Sequence, residues 1–325
     1  MKRRFVLGAL ATMLALAAGC SGGGGDGKDG GDKKVVVGFS QVGAESEWRT
    51  ANTRSVRSAI EGAGFQLRFS DAQQKQENQI KALRSFIAQR VDVIAFSPVV
   101  ESGWETVLRE AKTAGIPVIL TDRAVDVADD SLYVTLIGSD FVEEGRKAAR
   151  WMQESTKDRD QVRIVELQGT VGSAPAIDRG QGFREVLGND PRYRIVRTQS
   201  GDFTRARGKE VMEAFLKSVG GDNIDVLFAH NDDMAIGAIQ AIEESGLKPG
   251  EDILIVSIDA VRGAFEAMIA GKLNATVECN PLLGPQLVDA IREVQAGRTL
   301  PKRIVVEESL FTREQAAEVF PTRKY

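Results

Sequence analysis

Val35-Val36-Val37-Gly38-Phe39, running on into Ser40-Gln41-Val42-Gly43-Ala44-Glu45-Ser46-Glu47-Trp48-Arg49, decides how this chain is read. An apolar, β-branched run stops abruptly in small and polar residues, and a helical pattern begins at an aromatic beside a guanidinium. In open α/β sheets ligands sit at the carboxyl ends of the strands, where loops leave polar groups free. An indole offers an apolar face, and a guanidinium offers fixed donors. That pair suits a ligand with C–H faces and an edge of hydroxyls, as a sugar has. A Trp capping a helix–sheet interface, with Arg49 in solvent, is the plainer alternative.

Working outward, strands and helices alternate. Strand-like runs are predicted at 35–39, 66–70, 91–97, 117–121, 133–137, 162–167, 194–199, 226–229, 253–258 and 274–278, with another at 303–306. They are continuous and β-branched, as strands buried on both faces should be. Between them lie amphipathic segments, such as Ile80, Leu83, Phe86 and Ile87, or Met234, Ile236, Ile239 and Ile242. The pattern predicts an α/β chain of two similar Rossmann-like lobes, with parallel sheets joined by hinge strands. Near Asp122–Asp140 two strand runs follow each other with only a polar turn between them, which marks the crossing into the second lobe. The expected division is 35–137 with about 281–303 for the N-terminal lobe, and 138–280 with about 304–325 for the C-terminal lobe.

The chain has 325 residues, 42% of them hydrophobic, enough for two ordinary domains. A net charge of −4 gives no basic footprint, so nucleic acid is not an expected partner. Residues 1–20 read as a processing segment, a positive head followed by an apolar run too short to span a bilayer comfortably. Ala17-Ala18-Gly19-Cys20 resembles a bacterial lipobox, with Ala17 where Leu is usual. Lipidation at Cys20 is therefore expected, a plain secretory cleavage nearby being the alternative. Residues 21–34, rich in Gly and Asp, read as a flexible tether to a membrane surface outside the cytoplasm. Cys279 then stands alone, without a disulfide partner, and reads as a buried, inert strand residue. The only histidine, His230, has no nucleophile elbow beside it, and neither a phosphate loop nor a dinucleotide fingerprint comes after a strand. Asp232-Asp233 lack the spacing of a calcium loop. No enzyme activity, cofactor or metal is expected.

The residues directly after the strands are polar almost throughout: Ser70-Asp71, Ser97-Pro98, Asp122-Arg123, Gln168-Gly169-Thr170 with Asp178-Arg179, Ser200-Gly201-Asp202-Phe203, His230-Asn231-Asp232-Asp233 and Asp259. Two sheets with such edges facing each other would enclose a polar cleft. The blocks Val118–Arg123, Ile177–Phe183, Ala229–Asp233 and Val256–Ala260 resemble the type I periplasmic sugar-binding proteins, the receptors of bacterial ABC importers. The likeness runs from about Val35 to about Arg313. It is tightest with the galactofuranose-binding branch, through Gly38–Trp48, Asp71–Phe86, Glu166–Asp178 and Gln199–Val211.

The resemblance implies a monosaccharide held by Glu45, Ser46, Trp48, Arg49, Asp122 and Arg123 from one lobe and Arg179, Asn231 and Asp259 from the other. Glu47, Phe39 and Phe203 are further candidates. Glu47 stands where the branch commonly has Gly, which leaves the identity of the sugar open. Simpler roles exist for several: an Asp122–Arg123 salt bridge, an Arg179–Asp178 pair, Asn231 as a helix cap, core packing for Trp104. The implied partners are a membrane permease with its cytoplasmic ATPase, the receptor acting as a monomer. A sensing receptor that feeds a chemoreceptor or sensor kinase is the competing class, as is a receptor for another sugar, a sugar acid or a signalling furanose. Regulators of the lac-repressor type share the two-lobe sensor but carry a helix-turn-helix where this chain has a signal-like segment and glycine tether.

Overall fold

A computed structural model describes residues 34–325 of the chain. The expected leader, the expected lipidation at Cys20 and the expected tether up to residue 33 lie outside the described residues. The first sheet takes β1 (Val36–Gln41), β2 (Gln66–Asp71), β3 (Val93–Phe96), β4 (Val118–Thr121) and β5 (Thr135–Gly138). The second takes β6 (Val162–Gln168), β7 (Tyr193–Ser200), β8 (Val226–Ala229), β9 (Leu254–Asp259) and β10 (Ala275–Glu278). Two short strands complete them: β11 (Arg303–Val305) in the first sheet and β12 (Leu310–Thr312) in the second. The spatial orders are β11-β5-β4-β3-β1-β2 and β12-β10-β9-β8-β6-β7. Both lobes thus repeat one doubly wound plan, with its order reversing beside β1 in one and β6 in the other. A ligand crevice opens at that reversal.

The helices in chain order are α1 (Glu47–Gly62), α2 (Gln76–Ala88), α3 (Glu105–Thr113), α4 (Phe141–Ser155), α5 (Ala174–Leu187), α6 (Arg205–Val219), α7 (Asp232–Glu244), α8 (Arg262–Ile269), α9 (Gly284–Gln295) and α10 (Arg313–Val319). Central strands are buried along their whole length, as in β3 (VIAF) and β8 (VLFA), because helices cover both faces. The two lobes belong to one compact body, residues 34–325.

The chain crosses between lobes three times, after Gly138, after Glu278 and between Val305 and Leu310. Two expectations need correction here. The return to the second lobe comes later than residue 304: Ile304 and Val305 pair with Ile137 and Gly138 in the first sheet. The second sheet is also not wholly parallel, since β12 runs antiparallel to β10. A three-residue edge strand has too little periodicity to be read from sequence.

Aromatics sort between core and cleft. Trp104 is fully buried, its ring 4.9 Å from that of Phe96. Phe39 is core as well, 0% exposed and stacked on Phe69 at 6.2 Å, which removes it from the candidate site. The pleat turns Phe39 toward the covering helices.

Helices α4 and α5 pack backbone to backbone. A Cβ on Gly182 would stand 1.9 Å from the carbonyl oxygen of Val142. Gly182→Ala should therefore push α5 off α4, with a destabilisation of about 1–3 kcal/mol. Because Arg179 sits nearly one turn earlier on α5, sugar affinity should fall with it. Thermal melting checks this; an unchanged melting temperature would show that the helices have room to spare.

Candidate functional site

The loop after β1 enters α1 through a cap in which Ser46 Oγ accepts from the Arg49 amide at 3.1 Å. Arg49 is 3% exposed. Its Nε donates to Glu45 Oε1 at 3.0 Å, its Nη1 to Gln41 Oε1 at 3.1 Å, and its Nη2 pairs with Asp122 Oδ2 at 2.8 Å. Asp122 Oδ2 also accepts from Ser97 Oγ at 2.9 Å. Arg49 thus works as a clamp holding two carboxylates in fixed positions, and Glu45 Oε2 remains without a hydrogen-bond partner among the described residues. Arg123 donates Nη1 to the Val99 carbonyl at 3.0 Å, and its Nε, 3.6 Å from Asp122 Oδ2, has no hydrogen-bond partner among the described residues. Burial, helped by the charge of Arg49, lowers its pKa to about 10, so it stays cationic at neutral pH.

On the other lobe, Arg179 projects from α5. Its Nε donates to Glu144 Oε2 at 2.7 Å and its Nη1 to the His230 carbonyl at 2.6 Å, while Nη2 lies 3.8 Å from Asp259 Oδ1. Burial opposes its charge, but the Glu144 carboxylate prevails and raises its pKa. Burial also pushes Asp259 well above the carboxylate range, against the pull of Arg179. A carboxyl of that kind can donate to a hydroxyl as well as accept from one. Asn231 caps α7, Oδ1 accepting from the Met234 amide at 3.0 Å, while Nδ2 donates to the Phe203 carbonyl at 3.2 Å. Cap and cavity wall are therefore one residue. His230 stands behind, its Nε2 3.0 Å from Glu166 Oε1. Burial lowers the His230 pKa, leaving a neutral ring that donates to Glu166.

These groups meet in a small, partly open cavity between the lobes. Its walls are Glu45, Ser46, Trp48, Arg49, Asp122 and Arg123 from one side, and Pro175, Arg179, Phe203, Asn231, Asp259 and Cys279 from the other. Each lobe gives one large aromatic. Trp48 lends its face, since its Nε1 is taken by the Cys279 carbonyl at 2.6 Å. Phe203 lies under the Arg123 guanidinium at 5.2 Å. Its ring overlies Gly169, where a Cβ would fall 1.8 Å from it, so only glycine lets the ring reach the cavity. Asp122, Phe203 and Asp259 all have positive φ, of 64°, 60° and 129°. Strain of this kind concentrates where side chains must be aimed.

The lobes are closed on each other. The Glu47 amide donates to Asp233 Oδ2 at 2.7 Å, and the Glu101 amide to the Gly172 carbonyl at 2.9 Å, one contact on each rim. Glu47 is accordingly absent from the cavity wall. As the first residue of α1 it turns into an outer groove with Arg54, Arg205 and Asp233. There burial and Asp233 raise its pKa, with Arg205 opposing. The nine residues named from the first loop and strand ends, with Phe203, come together in the cavity; Glu47 and Phe39 do not. Arg179 pairs with Glu144, not with Asp178. Asp122 does approach Arg123, at 3.6 Å, but its closer partner is Arg49.

Sequence reasoning misses Pro175 and Cys279. Cys279 comes directly after β10, but its apolar-strand setting reads as core, and only the lobe crossing turns it to the cavity. Pro175 occupies the first turn of α5, the helix that follows β6, where a rigid residue points the helix start at the crevice. Burial raises the Cys279 thiol well above its usual pKa, with Glu144 and Glu308 adding to the effect.

Comparison with known proteins adds the family. A model described as "Periplasmic binding protein domain" matches residues 37–299. The chain is 50% identical over 292 residues to the galactofuranose-binding protein YtfQ of Escherichia coli (strain K12), covering 89% of this chain and 92% of that protein. A Mycobacterium smegmatis structure in complex with β-D-fucofuranose superimposes with a TM-score of 0.87 at 55% identity, covering 90% of this chain and 95% of the other. The periplasmic binding protein component of the arabinose ABC transporter from Shewanella sp. ANA-3, bound to α- and β-L-arabinofuranose, gives 0.86 at 53% identity, with coverage of 89% and 95%.

Proposed function

We propose, from the premise that this chain belongs to the periplasmic binding protein family of sugar receptors, that it delivers a neutral furanose to the permease of an ABC importer. Members of this family bind substrate for transporters and are not enzymes. The observation that carries the choice of ligand is charge balance in the cavity. Arg49 lies between Glu45 and Asp122, and Arg179 is matched by Glu144. Against Arg49, Arg123 and Arg179 stand Glu45, Asp122 and Glu144, so no positive charge is left over for a phosphate or carboxylate, even with Asp259 neutral. Glu45 Oε2 and Arg123 Nε, which have no hydrogen-bond partner among the described residues, suit hydroxyl and ring oxygens. A buried polar site also rejects a ligand lacking the matching hydroxyl, because protein groups are left unpaired.

The fucofuranose and arabinofuranose named for two similar structures, and the galactofuranose of the curated relative, support a five-membered ring as the class. Closure is driven by contacts that only the closed lobes make around the sugar. We assign the lipid anchor to Cys20, with residues 21–34 as tether to the envelope membrane, and a monomer as the working unit. Among the described residues no helix is long and apolar enough to cross a membrane.

A thermal-shift screen over furanoses, pyranoses, sugar acids and sugar phosphates tests the ligand class. A furanose at one hundred times its Kd adds about 2.7 kcal/mol of stability, so the melting point should rise by several degrees with galactofuranose, arabinofuranose or fucofuranose. A rise with acids or phosphates alone would make the three arginines anion clamps and overturn the reading.

A further inference from the structure

All three lobe crossings meet at one side chain. Glu308, in the crossing between β11 and β12, accepts through Oε1 from Ser139 Oγ of the first crossing at 2.5 Å. The same oxygen accepts from the amide of Asn280, in the second crossing, at 2.8 Å. Ser139 Oγ also lies 3.4 Å from Cys279 Sγ. Behind them a carboxyl oxygen of Glu144, one of Glu308 and the Cys279 sulfur lie within 4.8 Å of one another. Glu144 holds Arg179 through Oε2 at 2.7 Å, while its Oε1 is buried without a hydrogen-bond partner among the described residues. Two carboxyl groups therefore face each other at the hinge, one of them gripping a wall residue of the cleft.

We infer that Glu308 is a positioning residue that shares a proton with Glu144, and that this proton ties the three crossings together in the closed state and holds Arg179 in place for the sugar. Protonated on its free oxygen, Glu308 gives the Glu144 carboxylate the donor it lacks; ionised, it sets two negative charges side by side. The charged or titratable groups around it are Glu144 and Lys147 from α4, Cys279 beyond β10 and Arg303 of β11, with Arg179 and Asp259 beyond Glu144. Lys147 Nζ donates to the Glu308 carbonyl at 2.6 Å, and Arg303 Nη2 to the Ser139 carbonyl at 2.7 Å; both thus bond main chain. The three donor atoms would also suit a cation, but Glu308 Oε1 already accepts two hydrogen bonds, and Arg179 and Lys147 bring positive charge to the cluster. A proton fits those surroundings better than a metal ion. Burial, with the charge of Glu144, raises Glu308 to about 9.

The inference rests on the closed cleft being the sugar site, so two measurements keep the two ideas apart. The first needs no sugar. A carboxyl raised in the folded state stabilises most below its unfolded pKa, near 4.5, and that contribution is lost as pH rises toward about 9. Glu308→Gln keeps the acceptor, donates permanently to Glu144 and cannot titrate. Its melting temperature relative to wild type should therefore climb between pH 5 and pH 9; parallel curves overturn the shared proton. The second is calorimetry with arabinofuranose. Wild-type affinity should fall on the order of tenfold from pH 7 to pH 9, the worth of one pKa unit and below the range in which Arg123 loses its proton, while Glu308→Gln stays flat. Equal pH profiles overturn the link to binding. Wild type that binds no furanose overturns the proposed function, and the melting curves still decide the proton.

Discussion

Arg179→Ala is expected to remove measurable furanose binding and to destabilise the free protein at the same time. The guanidinium is 3% exposed and joins α5 to Glu144 on α4 and to the carbonyl before the α7 cap. Removing it strands Glu144 as a buried carboxylate, and breaking a buried pair from one side costs about 3–5 kcal/mol. The binding loss comes on top, because the same group forms one wall of the cavity beside Asp259. Arg179→Lys should not rescue binding, since an ammonium cannot reach Glu144, the His230 carbonyl and a ligand oxygen in one plane. Calorimetry for affinity and denaturant unfolding for stability separate the two effects. An alanine variant that binds normally would mean that Arg179 only staples two helices.

Trp48→Ala is expected to cost about as much. The side chain is 5% exposed, and removing a buried Trp typically loses about 3–5 kcal/mol. Its role is double. The face of the indole is cavity wall, and Nε1 holds the Cys279 carbonyl at 2.6 Å, beside the second lobe crossing. Trp48→Phe keeps an apolar face but drops that hydrogen bond. Its affinity should fall between wild type and alanine, by about fivefold for a lost bond of about 1 kcal/mol. If Phe matches wild type, Trp48 serves the sugar by stacking alone and the hinge bond is incidental.

Much of the architecture is legible in the chain because the fold aims residues by simple rules. Long β-branched runs are what doubly covered strands require, so the strands announce themselves. The polar residue after each run then has to lie at a carboxyl edge, and Asp122, Arg123, Asn231 and Asp259 reach the cleft on that ground together with the family likeness, which also points to Arg179 on α5. What escapes the sequence is finer than strand ends. Phe39 and Ser40 alternate across one strand, and only the pleat decides that Phe39 turns into the core. Glu47 and Trp48 are neighbours at the start of α1, and the helical turn of about 100° between them sends one to the outer groove and the other to the cavity. The partner of Arg179 is hidden because Glu144 lies on α4, 35 positions earlier. Nothing local in a sequence marks such a contact. Glu308 is invisible for the same reason: its significance comes from three chain crossings that meet only in space.

The departure at Glu47 now has a place. Its amide bridges to Asp233 of the other lobe, and its carboxyl faces Arg205 and Asp233 outside the cavity. It therefore belongs to the closed rim, and under the proposed assignment sugar choice falls to the cavity wall.

The central claim is that one neutral furanose lies between the lobes and touches both. A crystal structure grown with arabinofuranose or galactofuranose tests it most directly. The expected result is one sugar enclosed between Trp48 and Phe203, its hydroxyls on Glu45, Asp122, Asn231 and Asp259 and its oxygens on Arg123 and Arg179. A sugar bound to one lobe only, or outside this cavity, would contradict it.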